Sequence, residues 1–171
     1  MSQEVDANNR KVAPDEADLD AILAQWRRER PDIDAAPMAV CGAVWRAGDR
    51  LRQGVLANLT QYDLDFAGFD VILTLRRQGR GEALSPSALA KDMMLSTSAM
   101  TNRLDRLEKR GLITRMTDPK DRRGLKIVLS DEGFALADKI VATHVDTEER
   151  MLAELAPAER DQIRTLLAKV G

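Results

Sequence analysis

The sequence is poor in the residues that build enzymes and metal centres. One cysteine, Cys41, and one histidine, His144, occur in 171 residues. A lone cysteine forms no internal disulfide and points to a reducing compartment. One Cys and one His also exclude the usual structural zinc sites, which take four ligands mostly of those two types. Aromatic residues make up only 4% of the chain. The longest uncharged apolar run, Ala35 to Trp45, falls far short of the roughly 20 residues that span a bilayer. Met1 to Lys11 lacks the apolar centre of a signal peptide, so the expectation is a cytoplasmic protein with no membrane partner. Gly79-Arg80-Gly81 lacks the third glycine of a dinucleotide loop and follows no strand. With no nucleophile–base set either, these absences argue against an enzyme and against a bound metal or cofactor.

What is present is a chain with 44% hydrophobic and 32% charged residues, the mixture of amphipathic helices around a core. The formal net charge of −2 is unevenly spread. From Lys91 to Lys126 there are ten basic residues against five acidic, or +5, and the remainder carries −7. That segment alone has the sign needed to meet a polyphosphate.

Residues 1–14 are polar, lack periodicity and read as a flexible arm. Helical spacing starts near Asp15, with Leu19, Ile22, Leu23 and Trp26 on one stripe, and ends at Pro31. A second helix is expected from Pro37 to about Leu59, carrying Val40, Val44, Leu51, Val55 and Leu59, and a third from Phe66 to Gln78. Ser85-Pro86 supplies an N-cap and a first-turn proline for a short helix. Ser96 or Thr97 caps the next, which runs to Arg110 and stops at Gly111. Residues 112–116 and 125–129 read as two strands around the turn-forming tip Asp118 to Gly124. Ser130-Asp131-Glu132 opens a long helix to about Leu155, and Pro157 opens a last one to Val170.

This order is that of a mainly α fold with a small β-wing, a winged helix-turn-helix flanked by extra N- and C-terminal helices. The expected division is an arm (1–14), N-terminal helices (15–60), a DNA-binding region (61–130) and C-terminal helices (131–171). Within Ser96 to Arg110, Met100, Leu104 and Leu107 form an inward stripe, whereas Arg103, Arg106 and Arg110 fall on another face and are expected to point out. Ser96, Ser98, Thr101 and Asn102 add short hydrogen-bonding groups near its start. A major groove admits one helix, and these side-chain types read base edges and phosphates there. At the hairpin tip Lys120, Arg122 and Arg123 suit a narrow minor groove, with Asp121 placed to hold the Arg123 guanidinium. Double-stranded DNA is the expected partner.

The stretches Leu84 to Ala90, Thr101 to Ile113, Asp118 to Arg123 and Leu129-Ser130-Asp131-Glu132-Gly133 resemble the MarR family of bacterial transcription regulators. The resemblance implies that the N- and C-terminal helices are dimerisation helices, and that the homodimer binds a pseudo-palindromic operator, acts as a repressor, and is released by a small molecule or an oxidant. It places Ser96, Ser98, Thr101, Asn102, Arg103 and Arg106 on the recognition helix, and Arg122 and Arg123 on the wing.

The segment Ile22 to Pro31, an added N-terminal helix, is similar to the urate-responsive, PecS-like branch of that family. That likeness implies a ligand site made of Trp26, Asp70 and Arg103. The trio suits a planar anion: an indole stacks on it, a guanidinium neutralises it and a carboxylate accepts its ring N–H groups. Plainer roles compete with this one. Trp26 serves equally as a core residue, and Asp70 with Arg103 as an interhelical ion pair; Trp45 and Tyr62 read as core. Cys41 lies in an apolar run and reads as a buried, inert thiol, and His144 as a surface or dimer-interface residue. Alternative effectors are a phenolic carboxylate, or oxidation of Cys41. The alternative class is a winged-helix module for protein contacts alone.

Overall fold

The computed structural model describes residues 18–93, 97–118 and 121–171, and at 97–99 and 121–123 the backbone alone. Its order is α1 (Leu19–Glu29), α2 (Ala36–Thr60), α3 (Phe66–Arg76), α4 (Pro86–Asp92), α5 (Thr97–Lys109), β1 (Ile113–Asp118), β2 (Asp121–Leu129), α6 (Asp131–Met151) and α7 (Pro157–Leu167). Mostly helical with one antiparallel two-stranded sheet, it is the expected winged-helix arrangement. The chain divides into two compact units, one up to Arg50 and one from Leu51 onward. The expected arm lies outside the described residues.

The first unit holds α1 and the first half of α2. Asp18 caps α1 by accepting from the Asp20 N–H at 3.0 Å. Gly42 lets α2 approach Leu19, whose Cδ2 would lie 2.9 Å from an added Cβ. Leu23 and Ala35 are buried there, but Trp45 is 74% exposed and Val40 62% exposed. Trp45 is therefore not a core residue in this chain. Nor is Cys41 buried: its thiol is exposed. Of the apolar residues expected on one stripe of α2, Val40 and Leu51 are exposed, Val44 is partly buried, and Val55 and Leu59 are buried.

In the second unit the core is built by Leu59, Val71, Ile72, Leu75, Leu89, Met100, Leu104, Ile127 and Ile140. Asp65 caps α3 through the Gly68 N–H at 2.7 Å, and Ser85 caps α4 through the Ala88 N–H at 3.1 Å. Strand register runs from Ile113↔Leu129 to Asp118↔Asp121, with an irregularity at Thr117/Asp118. The second strand thus starts at Asp121, earlier than the apolar alternation implied. A second pairing joins Leu84 to Ile127 by two backbone hydrogen bonds of 3.0 and 2.7 Å. One residue of strand is too short to leave a periodic signal.

Tyr62 is half-buried; its hydroxyl lies 2.8 Å from Thr143 Oγ1, which ties the end of α2 to α6. His144, read as a surface or dimer-interface residue, is partly buried: its side chain is 17% exposed and its ring lies 4.8 Å from that of Phe69. Helix α6 stops at Met151 rather than near Leu155. There Arg160 donates to the Leu152 carbonyl at 2.9 Å, the Leu155 carbonyl at 3.1 Å and Glu149 Oε2 at 2.7 Å. A single guanidinium thus bonds two carbonyls at the break, whose last residue is already biased out of helix by Pro157.

Candidate nucleic-acid interface and effector cleft

Helix α5 buries Met100, Leu104 and Leu107, as its spacing requires. Thr101, Asn102 and Arg106 are exposed on other faces, and Arg103 is half-buried. Its end is a Schellman motif: the Leu112 N–H donates to the Leu107 carbonyl at 3.0 Å and the Gly111 N–H to the Glu108 carbonyl at 2.8 Å. Gly111 takes φ of 70°, where a side chain would be strained. Ser96 and Lys120 lie outside the described residues, as do the side chains of Ser98, Asp121, Arg122 and Arg123.

One outward arginine is not free. The Arg110 guanidinium donates to the Asp63 carbonyl and, at 3.0 Å, to the Tyr62 carbonyl. Arg110 is exposed, as its place on the helix leads one to expect, but those two bonds tie its head to the backbone beyond α2. Sequence reading also missed Arg115 on β1, which meets Asp105 at 2.5 Å and Glu108 at 3.1 Å. It clamps the wing to α5. The acidic pair at i, i+3 on an otherwise basic helix was the available signal.

Asp70 on α3 and Arg103 on α5 line one cleft of about 450 Å³, together with Arg52, Leu56, Asp65, Phe66 and Ala67. Among the described residues the two form no direct ion pair within 4.0 Å, although Arg103 still acts electrostatically on the Asp70 carboxyl. A second cleft of about 580 Å³ shares Asp65 and Arg103 and adds Asp63, Arg106, Lys109 and Arg110. Arg106 there lies 3.6 Å from Asp65 Oδ2. Trp26 belongs to the first unit, where it is 40% exposed and so is not a core residue.

Burial pushes the Asp70 carboxyl above the ordinary carboxylate value, and Arg103 and Arg77 pull it part of the way back. A raised folded-state pKa means that the folded chain holds a proton which the unfolded chain releases. The contribution of Asp70 is then fully present below the ordinary value of 3.8 and is lost as pH rises through the folded value. Asp70→Asn is accordingly expected to raise the thermal midpoint at pH 7, with the gain vanishing in acid. A midpoint at or below that of the wild type at pH 7 would contradict this.

Comparison with known proteins decides the family. The MarR family model matches residues 68–125. The HTH-type transcriptional regulator PecS of Dickeya dadantii (strain 3937) is 40% identical over 149 residues, covering 87% of this chain and 90% of that protein. The chain belongs to the MarR family. Solved MarR-family folds agree. Bordetella bronchiseptica BpsR, described for regulation of its DNA binding by 6-hydroxynicotinic acid, has a TM-score of 0.65 and 28% identity, over 76% of this chain and 91% of its own. A mutant MarR from E. coli complexed with operator DNA has a TM-score of 0.69 and 22% identity, over 85% and 96% respectively.

Membership of the MarR family makes the chain a transcriptional regulator rather than an enzyme, since its relatives are regulators. Among the described residues no cluster of three or more His, Cys, Asp or Glu is placed to hold a metal, and no helix is long and apolar enough to cross a membrane. The family match spans α3 to β2, which contains Asp70, Arg103 and the whole clamp around Arg115.

Proposed function

We propose that this chain is a cytoplasmic, homodimeric repressor. It sets α5 in the major groove of a pseudo-palindromic operator and the wing in the minor groove, and is released by a small planar anion such as urate. The observation that carries the ligand half is the meeting of Asp70 and Arg103 in one cleft, because Arg103 belongs to the helix that reads DNA. A ligand that captures it competes with the operator for the same side chain. The DNA half rests on exposed Thr101, Asn102 and Arg106 along α5, with Ser96, Ser98, Lys120, Arg122 and Arg123 assigned from the sequence. Exposed apolar residues on α7, with Val170 just beyond it at 62% exposure, support a dimer. Trp26 is assigned as the stacking residue from its place in the PecS-like segment, and its exposed indole is compatible with that.

The test uses a duplex selected by the protein from a random pool, with fluorescence anisotropy read against added urate. Tenfold weaker DNA binding on saturation corresponds to about 1.4 kcal/mol of coupling. Trp26→Phe and Asp70→Asn are expected to keep DNA affinity near wild type and to lose most of that response. If urate releases DNA from both variants as well as from the parent, the pocket lies elsewhere. A second reading replaces urate with an aromatic carboxylate, which the BpsR relative favours; 6-hydroxynicotinic acid in the same assay separates the two. Cys41→Ser tests the oxidant alternative, since the exposed thiol is open to reaction.

A further inference from the structure

Two helix ends meet at Arg110, and both are closed in the same way. At the end of α2, the Asp63 N–H donates to the Thr60 carbonyl at 3.2 Å and the Leu64 N–H to the Leu59 carbonyl at 3.4 Å. Asp63 takes the left-handed position, φ 51°, that glycine holds at the end of α5. Each helix thus finishes in a Schellman motif, and in each the residue before the left-handed one is the cap: Tyr62 for α2, Arg110 for α5. The Arg110 guanidinium spans the gap, donating to the carbonyls of Tyr62 and Asp63, with the Asp63 carboxylate at 4.0 Å. Carbonyls at a helix C-terminus carry partial negative charge and lack intrahelical donors, so a planar cation suits them.

We infer that Arg110 is a positioning residue, which hangs the recognition helix from the end of α2 and so sets the angle at which α5 meets DNA. This rests on the reading of α5 as the DNA-reading helix. Its charge lies on the same face as Arg103 and Arg106, yet two of its N–H groups are committed to backbone carbonyls. Tyr62 extends the connection, since its hydroxyl reaches Thr143 on α6. The α2 end, α5 and α6 are thereby joined through two consecutive residues. Base-edge contacts tolerate only about 0.5 Å of displacement, whereas non-specific phosphate contacts tolerate much more. Loss of the anchor therefore acts on specificity.

The experiment measures affinity for a duplex selected from a random pool and for a scrambled duplex of the same composition, across a salt series, with folded protein well below its melting midpoint. Arg110→Ala is expected to weaken binding to the selected duplex by about tenfold, to leave the scrambled duplex within about twofold, and to keep the log–log salt slope. A slope reduced by about 0.9 per bound subunit makes Arg110 a phosphate contact and overturns the inference. An unchanged ratio of selected to scrambled affinity also overturns it, because a merely stabilising residue would leave that ratio alone. Arg110→Lys keeps the charge but not the two-pronged fork, and covers the case in which the alanine variant does not fold. It is expected to lose selected-duplex affinity at constant slope, and wild-type affinity in this variant refutes the positioning role. A wild-type chain that selects no duplex sinks the DNA-binding reading itself, and this inference with it.

Discussion

Gly133→Ala is expected to cost about 3 kcal/mol of stability and to lower the thermal midpoint by roughly 6–12 °C, the scale for overpacking in a chain of this size. The glycine is not needed for an unusual backbone angle; it is needed for a close approach. A Cβ at position 133 would sit 1.9 Å from the Leu112 carbonyl oxygen and 2.8 Å from its carbon. That backbone cannot easily yield. The Leu112 N–H closes the end of α5, its carbonyl accepts from the Ser130 N–H at 3.1 Å, and Ile113 beside it opens the strand register. Ser130 adds to the constraint, donating from Oγ to the Gly111 carbonyl at 2.6 Å while accepting from the Gly133 N–H at 2.9 Å. One methyl group therefore pushes on the recognition helix, the wing and the start of α6 together. Denaturant or thermal unfolding measures the effect, and a midpoint within a degree of wild type would show that the contact relaxes freely.

The other large effect is on assembly. Ile163, Leu166 and Leu167 on α7 recur with Val170 at i, i+3, i+4 and i+7, one stripe of a helix, and all are exposed. Such a stripe on a single chain is the kind that a second copy covers. The combined change Ile163→Asp and Leu167→Asp is expected to leave the folded chain monomeric, because two carboxylates would be buried without partners across the twofold. Two half-sites bound at once gain effective concentration, so a monomer should bind the selected duplex about 10²-fold or more weakly. Sedimentation at micromolar concentration together with DNA affinity checks both halves. A dimer that persists with both aspartates would place the interface elsewhere.

How far the sequence carried the reading is clearest on α5. The inward stripe of Met100, Leu104 and Leu107 and the stop at Gly111 are local properties, written in helical period and backbone preference, and the fold repeats them. So do the caps at Ser85 and Ser130. The fate of the outward side chains is another matter. Arg103, Arg106 and Arg110 look alike on a helical wheel, yet one lines the cleft with Asp70, one approaches Asp65, and one anchors on backbone carbonyls.

The residues by themselves determined which segments are helix and strand, where the +5 segment lies, and which face of the recognition helix enters the core. Those depend on neighbours within one or two turns, and periodicity records them. Tertiary structure alone decided where Arg110 and Arg115 spend their donors, that Tyr62 reaches Thr143, and that Trp45 and Cys41 face solvent. The bonds of Arg110 and Tyr62 join residues 48 and 81 positions apart. A repeat of 3.6 residues specifies a direction around a helix, but what waits in that direction is set by elements far along the chain.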